Sequence, residues 1–172
     1  LERLVKAARQ QNSGNGNNLV PALESMSENT LLLEYFAAIM GNSSFLSQCA
    51  IRDPEFCHSL IMTGPDQSFV NILKKIDTYE ISDTDDGRLM KTLRQCRQQA
   101  ALTIASADIA SLWTGVQVTD ALSRFAEAAL QTTIRFLLSK SAANGLIILK
   151  EPENPEMDSG LIVFGMGKLG AG

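Results

Sequence analysis

The chain has 172 residues, 45% of them hydrophobic, 20% charged and 6% aromatic, which is the composition of a globular protein and excludes a disordered or fibrous one. A formal charge of −4 and a pI near 5.0 argue against a broadly basic surface for nucleic acid, and no apolar run approaches the roughly 20 residues of a membrane helix. So few aromatics point to a core of Leu, Ile and Ala, and hence to a mainly α fold. The charged opening LERLVKAARQ has no signal-peptide stretch, so the chain reads as cytoplasmic.

The opening segment shows helical spacing at Leu1, Leu4, Val5 and Ala8, and the turn formers NSGNGNN at 12–18 follow as a flexible linker. In SENTLLLEYFAAIM, Ser27 is the expected N-cap of a helix that buries Leu32, Phe36 and Met40 and stops at Gly41. Two further starts follow, one capped by Asn42 or Ser43 and one by Asp53 with Pro54 at its first position; Gly64 and Pro65 end the second of these helices. Another helix is predicted around 66–78. Asp83, Asp85 and Asp86 then precede a long helical pattern, where capping and the helix dipole favour carboxylates; they lack the spacing of a calcium loop.

In that pattern Leu89, Leu93, Cys96, Ala100 and Ile104 recur at steps of four, three, four and four, one stripe of an amphipathic helix flanked by Arg94 and Arg97. A second long helix is expected from about Thr119 to Ala143, with Leu122, Phe125, Ala129 and Phe136 or Leu137 inward, until Asn144 and Gly145 stop it. These two helices should form an antiparallel spine. The odd cysteine set, Cys49, Cys57 and Cys96, reads as free thiols, and the neighbouring Cys57 and His58 lack the further ligands of a metal site.

Two prolines and four acidic residues in LKEPENPEMDSG mark a linker, after which Leu161 to Phe164 form a short apolar run bounded by Gly160 and Gly165, the one strand expected in the chain. It leads into GMGKLGAG. A strand followed by glycines is a recurrent phosphate site, because glycine lets backbone amides approach an anion. Gly165, Gly167 and Gly170 satisfy the GxGxxG of a dinucleotide-binding domain, although neither its helix nor its ribose-binding acid follows. A Walker A loop fails, because Leu169 and not Ser or Thr follows Lys168. A plain turn after an edge strand is the remaining reading of these residues alone.

MKTLRQCRQQAALTIASADIASL, then TDALSRFAEAAL, then LIVFGMGKLGAG resemble the amino-terminal half of bacterial glutamine synthetase adenylyltransferase, a bifunctional adenylyl-transferring and adenylyl-removing family. SSFLSQCAIRDPEF is similar to that family's helical segment ending in a proline and an acid, and the likeness runs from about Ser44 to Gly172. The resemblance implies two nucleotidyltransferase domains of the DNA polymerase beta type in the parent, each flanked by helices. GMGKLG points to the first of them, which removes AMP from a tyrosine of glutamine synthetase by phosphorolysis. The implied architecture is a helical bundle followed by the first strand and glycine turn of such a domain, truncated: helix and linker at 1–18, helical domain at 19–150, linker at 151–160 and nucleotidyltransferase start at 161–172.

On this resemblance Gly165, Gly167, Lys168 and Gly170 are the phosphate- and nucleotide-binding candidates. Lys168 departs from the wider superfamily, which has glycine or serine there, but agrees with this family. The family's paired metal-holding aspartates are expected about ten residues past the turn, beyond Gly172. No catalytic or metal residue is therefore assigned, and Asp83, Asp85, Asp86 and Asp158 stand outside that motif. The parent is expected to use Mg²⁺, ATP or ADP and phosphate, and to meet glutamine synthetase and a PII signal protein in regulating nitrogen assimilation, while these residues alone are expected to be inactive. A noncatalytic helical module that binds a protein partner is the competing expectation.

Overall fold

In the computed structural model, which describes residues 1–11, 19–80 and 85–165, eight helices are formed and no strand occurs among the described residues. They are α1 (Glu2–Gln11), α2 (Leu19–Met26), α3 (Thr30–Asn42), α4 (Ser44–Arg52), α5 (Pro54–Thr63), α6 (Pro65–Asp77), α7 (Asp86–Ile109) and α8 (Gly115–Ala143). The linker expected at 12–18, Asp83, and Gly167, Lys168 and Gly170 of the glycine turn lie outside the described residues.

Side-chain caps set most helix starts. Asp53 accepts the amide of Phe56, with Pro54 at the first helical position where a missing amide costs nothing. Ser43 ends α3 and starts α4, accepting from Leu46. Thr114 and Gln117 cap each other's backbone in a capping box, so α8 begins four residues before Thr119. Asn29, and not Ser27, caps α3: its Oδ1 takes the amides of Leu31 and Leu32, while the Ser27 hydroxyl turns back to the carbonyl of Glu24. That helix passes through Gly41 and ends at Asn42. Gly64, at φ 81°, makes the sharp α5–α6 corner that a side chain would strain.

Two apolar clusters share one wall. The first gathers Leu4, Leu23, Phe36, Ile39, Cys57 and Leu60 from α1, α2, α3 and α5 around Leu102 of α7. The second packs Phe69, Ile72 and Ile76 of α6 against Cys96, Ala100, Ile104 and Ala107 of α7, with Trp113 and Ala121 closing it. Because α7 is covered on two sides, its polar residues Gln99, Thr103 and Ser106 are buried as well. Leu89, Cys96, Ala100 and Ile104 of the predicted stripe are buried, and Leu93 packs partly buried against the second cluster.

The spine is antiparallel, since Lys140 near the end of α8 pairs with Asp86 at the start of α7 (2.6 Å). Its second face differs from expectation. Leu122 and Leu137 are each 53% exposed, whereas Ala121 and Phe136 are buried at 3% and 2%. The inward row is Ala121, Phe125, Ala128, Thr132 and Phe136, with the same four-three-four-four spacing as on α7: Phe125 and Phe136 face inward as expected, Phe125 and Ala128 being partly buried, while Ala121 takes the place of Leu122. Two alanines and a threonine hold that row, so small size hides it from a hydrophobicity pattern. Thr132 uses its hydroxyl on the carbonyl of Ile76 (3.2 Å), and Arg135 reaches Asp77 (3.2 Å), which ties α8 to the end of α6.

The strand expected at Leu161 to Phe164 is likewise absent: these residues carry no regular secondary structure. A strand exists by virtue of its ladder, and no partner strand occurs among the described residues.

Candidate functional site

The residues entering the glycine turn come to rest on α8. Val163, Phe164 and Gly165 border a groove whose other wall is Glu127, Leu130, Gln131 and Ile134, on the side of α8 away from its buried row. The approach is guided by the linker. Lys150 pairs with Asp158 (3.0 Å), Ser159 accepts the amide of Leu161 (3.2 Å), and Gly160 turns at φ 73°. Of the four candidate phosphate-binding residues, Gly165 therefore sits in this groove, and the other three lie outside the described residues. Leu161, Ile162, Val163 and Phe164 remain between 49% and 81% exposed.

The remaining sequence candidates separate. Asp85 caps α7 through Gly87, Asp86 holds Lys140 and Asp158 holds Lys150, so each has a structural task. Arg94 and Arg97 stand exposed on α7. All three cysteines are buried and free. Burial pushes each thiol above its ordinary range, that of Cys57 to about 12, where the nearby Asp53 carboxylate adds to the effect. Such thiols are poor nucleophiles. Among the described residues no three His, Cys, Asp or Glu side chains gather as a candidate metal site.

Two polar features were not legible in the sequence. Asp53 is a junction: its Oδ1 caps α5, while its Oδ2 accepts the amides of Gln99 (2.8 Å) and Gln95 (3.3 Å), and Lys75 of α6 donates to the Gln95 oxygen (3.2 Å). The carboxylate joins the start of α5 to the face of α7, Gln95 extends it to Lys75 of α6, and the Asp53 backbone amide closes α4. The glutamines are separated from Asp53 by more than forty residues, so only their shared position four apart on α7 was a signal. At the α7–α8 corner the Trp113 indole donates to Asp66 (3.0 Å) and stands edge-on to Phe69, over which Arg124 lies.

A model of the family described as glutamate-ammonia ligase adenylyltransferase matches residues 33–172. The chain belongs to this family. Similar proteins include the bifunctional glutamine synthetase adenylyltransferase/adenylyl-removing enzymes of Rhodopseudomonas palustris strain BisB5, 39% identical over 130 residues, 76% of this chain and 13% of that protein. The protein of the same name from Bartonella quintana is 34% identical over 141 residues, 81% of this chain and 14% of its own length. That of Bartonella henselae is 31% identical over 173 residues, all of this chain and 17% of its own. The chain thus spans about a sixth or less of the relatives it matches. No solved structure matches it. Glycine turn, groove and spine all fall inside the matched residues. No helix among those described is long and apolar enough to cross a membrane.

Proposed function

We propose that these residues are the helical scaffold and the start of the adenylyl-removing domain of a larger cytoplasmic glutamine synthetase adenylyltransferase. The observation that carries the reading is the family match, which includes LIVFGMGKLGAG together with both long helices. The relatives' names supply the substrate class, an adenylylated glutamine synthetase. Their greater length leaves room for a second, transferring domain and for a PII-responsive region.

In this reading the turn works by electrostatics. Phosphorolysis of an AMP-tyrosine bond brings inorganic phosphate against a phosphodiester, two anions that repel. Backbone amides around Gly165, Gly167 and Gly170 and the ammonium of Lys168 offset that repulsion and orient the nucleophile in line with the tyrosine oxygen that leaves. The products are ADP and glutamine synthetase with its tyrosine hydroxyl restored. The resemblance adds Mg²⁺, which would supply further neutralisation, but no described residues form a site for it.

The test is release of ADP from adenylylated glutamine synthetase and phosphate. The purified 172-residue chain should release none, whereas a protein carrying this sequence within the length of its relatives should, and Lys168→Ala in that protein should slow release at least about ten-fold without lowering its melting temperature. Release by the short chain, or equal rates with and without Lys168, would overturn the assignment.

A further inference from the structure

The outer side of α7 carries a row of cations that neither the cores nor the glycine turn uses. Lys91, Arg94 and Arg97 are all exposed and recur every three residues, and no carboxylate occurs on α7 between Asp86 and Asp108. A step of three residues rotates a helix position by about 60° and advances it by about 4.5 Å, so the three side chains sweep about a third of the helix circumference along about 9 Å of axis.

Flanking helices extend the row. On one side α4 ends in Arg52, which together with Arg97 acts on the Cys49 thiol, and α4 has no acidic residue. On the other, Lys75 of α6 reaches Gln95. The two carboxylates of α6 are taken elsewhere, Asp66 by Trp113 and Asp77 by Arg135. Asp53 touches this surface, yet both of its oxygens are occupied by Phe56, Gln95 and Gln99. None of Arg52, Lys75, Lys91, Arg94 or Arg97 forms an ion pair with a described residue.

Like charges three apart on a helix repel, so this row weakens α7 in isolation, and an anion laid across it relieves the repulsion. Several anions fit by charge alone. Single-stranded nucleic acid is held largely by stacking on aromatics, and α7 contains no Phe, Tyr or Trp. Duplex binding draws on a domain-wide positive field, and this chain carries −4. A small anion needs a concave site, whereas these cations stand exposed on successive turns of a helix. A protein face bearing several carboxylates matches both the spread of charge and the fork geometry of two arginines.

We propose that this basic ridge of α7 is a docking surface for an acidic protein face and, resting on the functional reading above, that the face belongs to glutamine synthetase. The experiment measures binding of the full chain to adenylylated glutamine synthetase at low and at physiological ionic strength. The comparison variants are R94E/R97E, R94Q/R97Q, and R3E/K6E, which carries the same charge change as R94E/R97E on the exposed face of α1. The expected result is a dissociation constant that rises with salt, rises at least about ten-fold in R94E/R97E and in the same direction in R94Q/R97Q, and moves less than about two-fold in R3E/K6E. Far-ultraviolet circular dichroism checks that each variant keeps its helices, and the glutamine pair, which only removes charge, serves if charge reversal unfolds the chain.

Equal binding by the wild-type chain and R94Q/R97Q overturns the ridge while leaving glutamine synthetase as the partner. Equal losses in R94E/R97E and R3E/K6E also overturn it, since net charge and not place would then govern. Tighter binding to poly(U) than to glutamine synthetase assigns the ridge to nucleic acid instead. Absence of any binding by the wild-type chain removes ridge and partner together, whereas ADP release by the longer protein, measured separately, still decides the reaction.

Discussion

Phe136 and Leu122 stand on the same helix, both apolar, yet the structure gives them opposite weights. Phe136 is 2% exposed against 53% for Leu122. Truncating a buried phenylalanine removes its transfer free energy and leaves a cavity, so Phe136→Ala should cost about 3–5 kcal/mol, whereas Leu122→Ala should stay within about 0.5 kcal/mol. Urea midpoints of the two variants check the register of the whole stripe, and similar losses for both would put the helix in the wrong rotation. Cys57 offers a second test of burial. Its thiol rises from an ordinary value of 9.0 to about 12, chiefly because the thiolate would be desolvated. A raised value in the folded state means that the unfolded chain gives up this proton first as pH climbs. The stabilisation from keeping the thiol neutral is then complete below pH 9 and fades as pH rises from about 9 toward 12. At pH 8 a thiol reagent should leave all three cysteines untouched in the native chain and modify three after denaturation; fast modification of Cys57 in the native state would contradict its burial.

Elements were legible where a cap or a hydrophobic row announced them. Asp53 shows both the reach and the end of that legibility. The pair Asp53–Pro54 marks the start of α5 in the sequence, and the structure confirms the cap. Nothing local announces that the other carboxylate oxygen gathers Gln95 and Gln99 from α7, because such a junction depends on tertiary placement. Asp53→Ala should therefore cost more than a lost cap: about 1 kcal/mol for the cap and about 1–3 kcal/mol for leaving the buried Gln99 amide unpaired. A loss of only the first part, read from urea midpoints of Asp53→Ala beside Gln99→Ala, would show the junction to be incidental. The same reasoning explains the missed α2, whose eight residues include Pro21 and no side-chain cap that the sequence advertises. It also explains the inward face of α8, where the small Ala121 and Thr132 are buried and Ala128 partly so. The glycine motif was read from sequence and family likeness; the groove on α8 that receives its approach was not, since it joins residues some thirty positions apart.

At the scale of the whole molecule the two clusters and the spine form a helical body, and the run Leu161–Phe164 borders the groove on α8 without being buried by it. Four consecutive apolar side chains stay between 49% and 81% exposed, and Leu146 and Ile148 near the end of α8 add to the same end of the chain at 75% and 98%. Exposed apolar surface of this kind favours contact with another surface, and a segment outside any ladder offers backbone groups for pairing. If the run serves as the first strand of a nucleotidyltransferase sheet, a neighbouring strand in the longer protein satisfies both needs. In the 172-residue chain another copy is the readiest substitute. Sedimentation velocity over a range of concentrations should show the chain self-associating more than a version ending at Ser159, and Phe164→Asp should reduce association as the truncation does, because one desolvated carboxylate opposes a dry contact. Equal monomeric sedimentation of all three, with slow amide exchange at 161–164 in the longest, would mean that the groove on Leu130 and Ile134 covers the segment by itself.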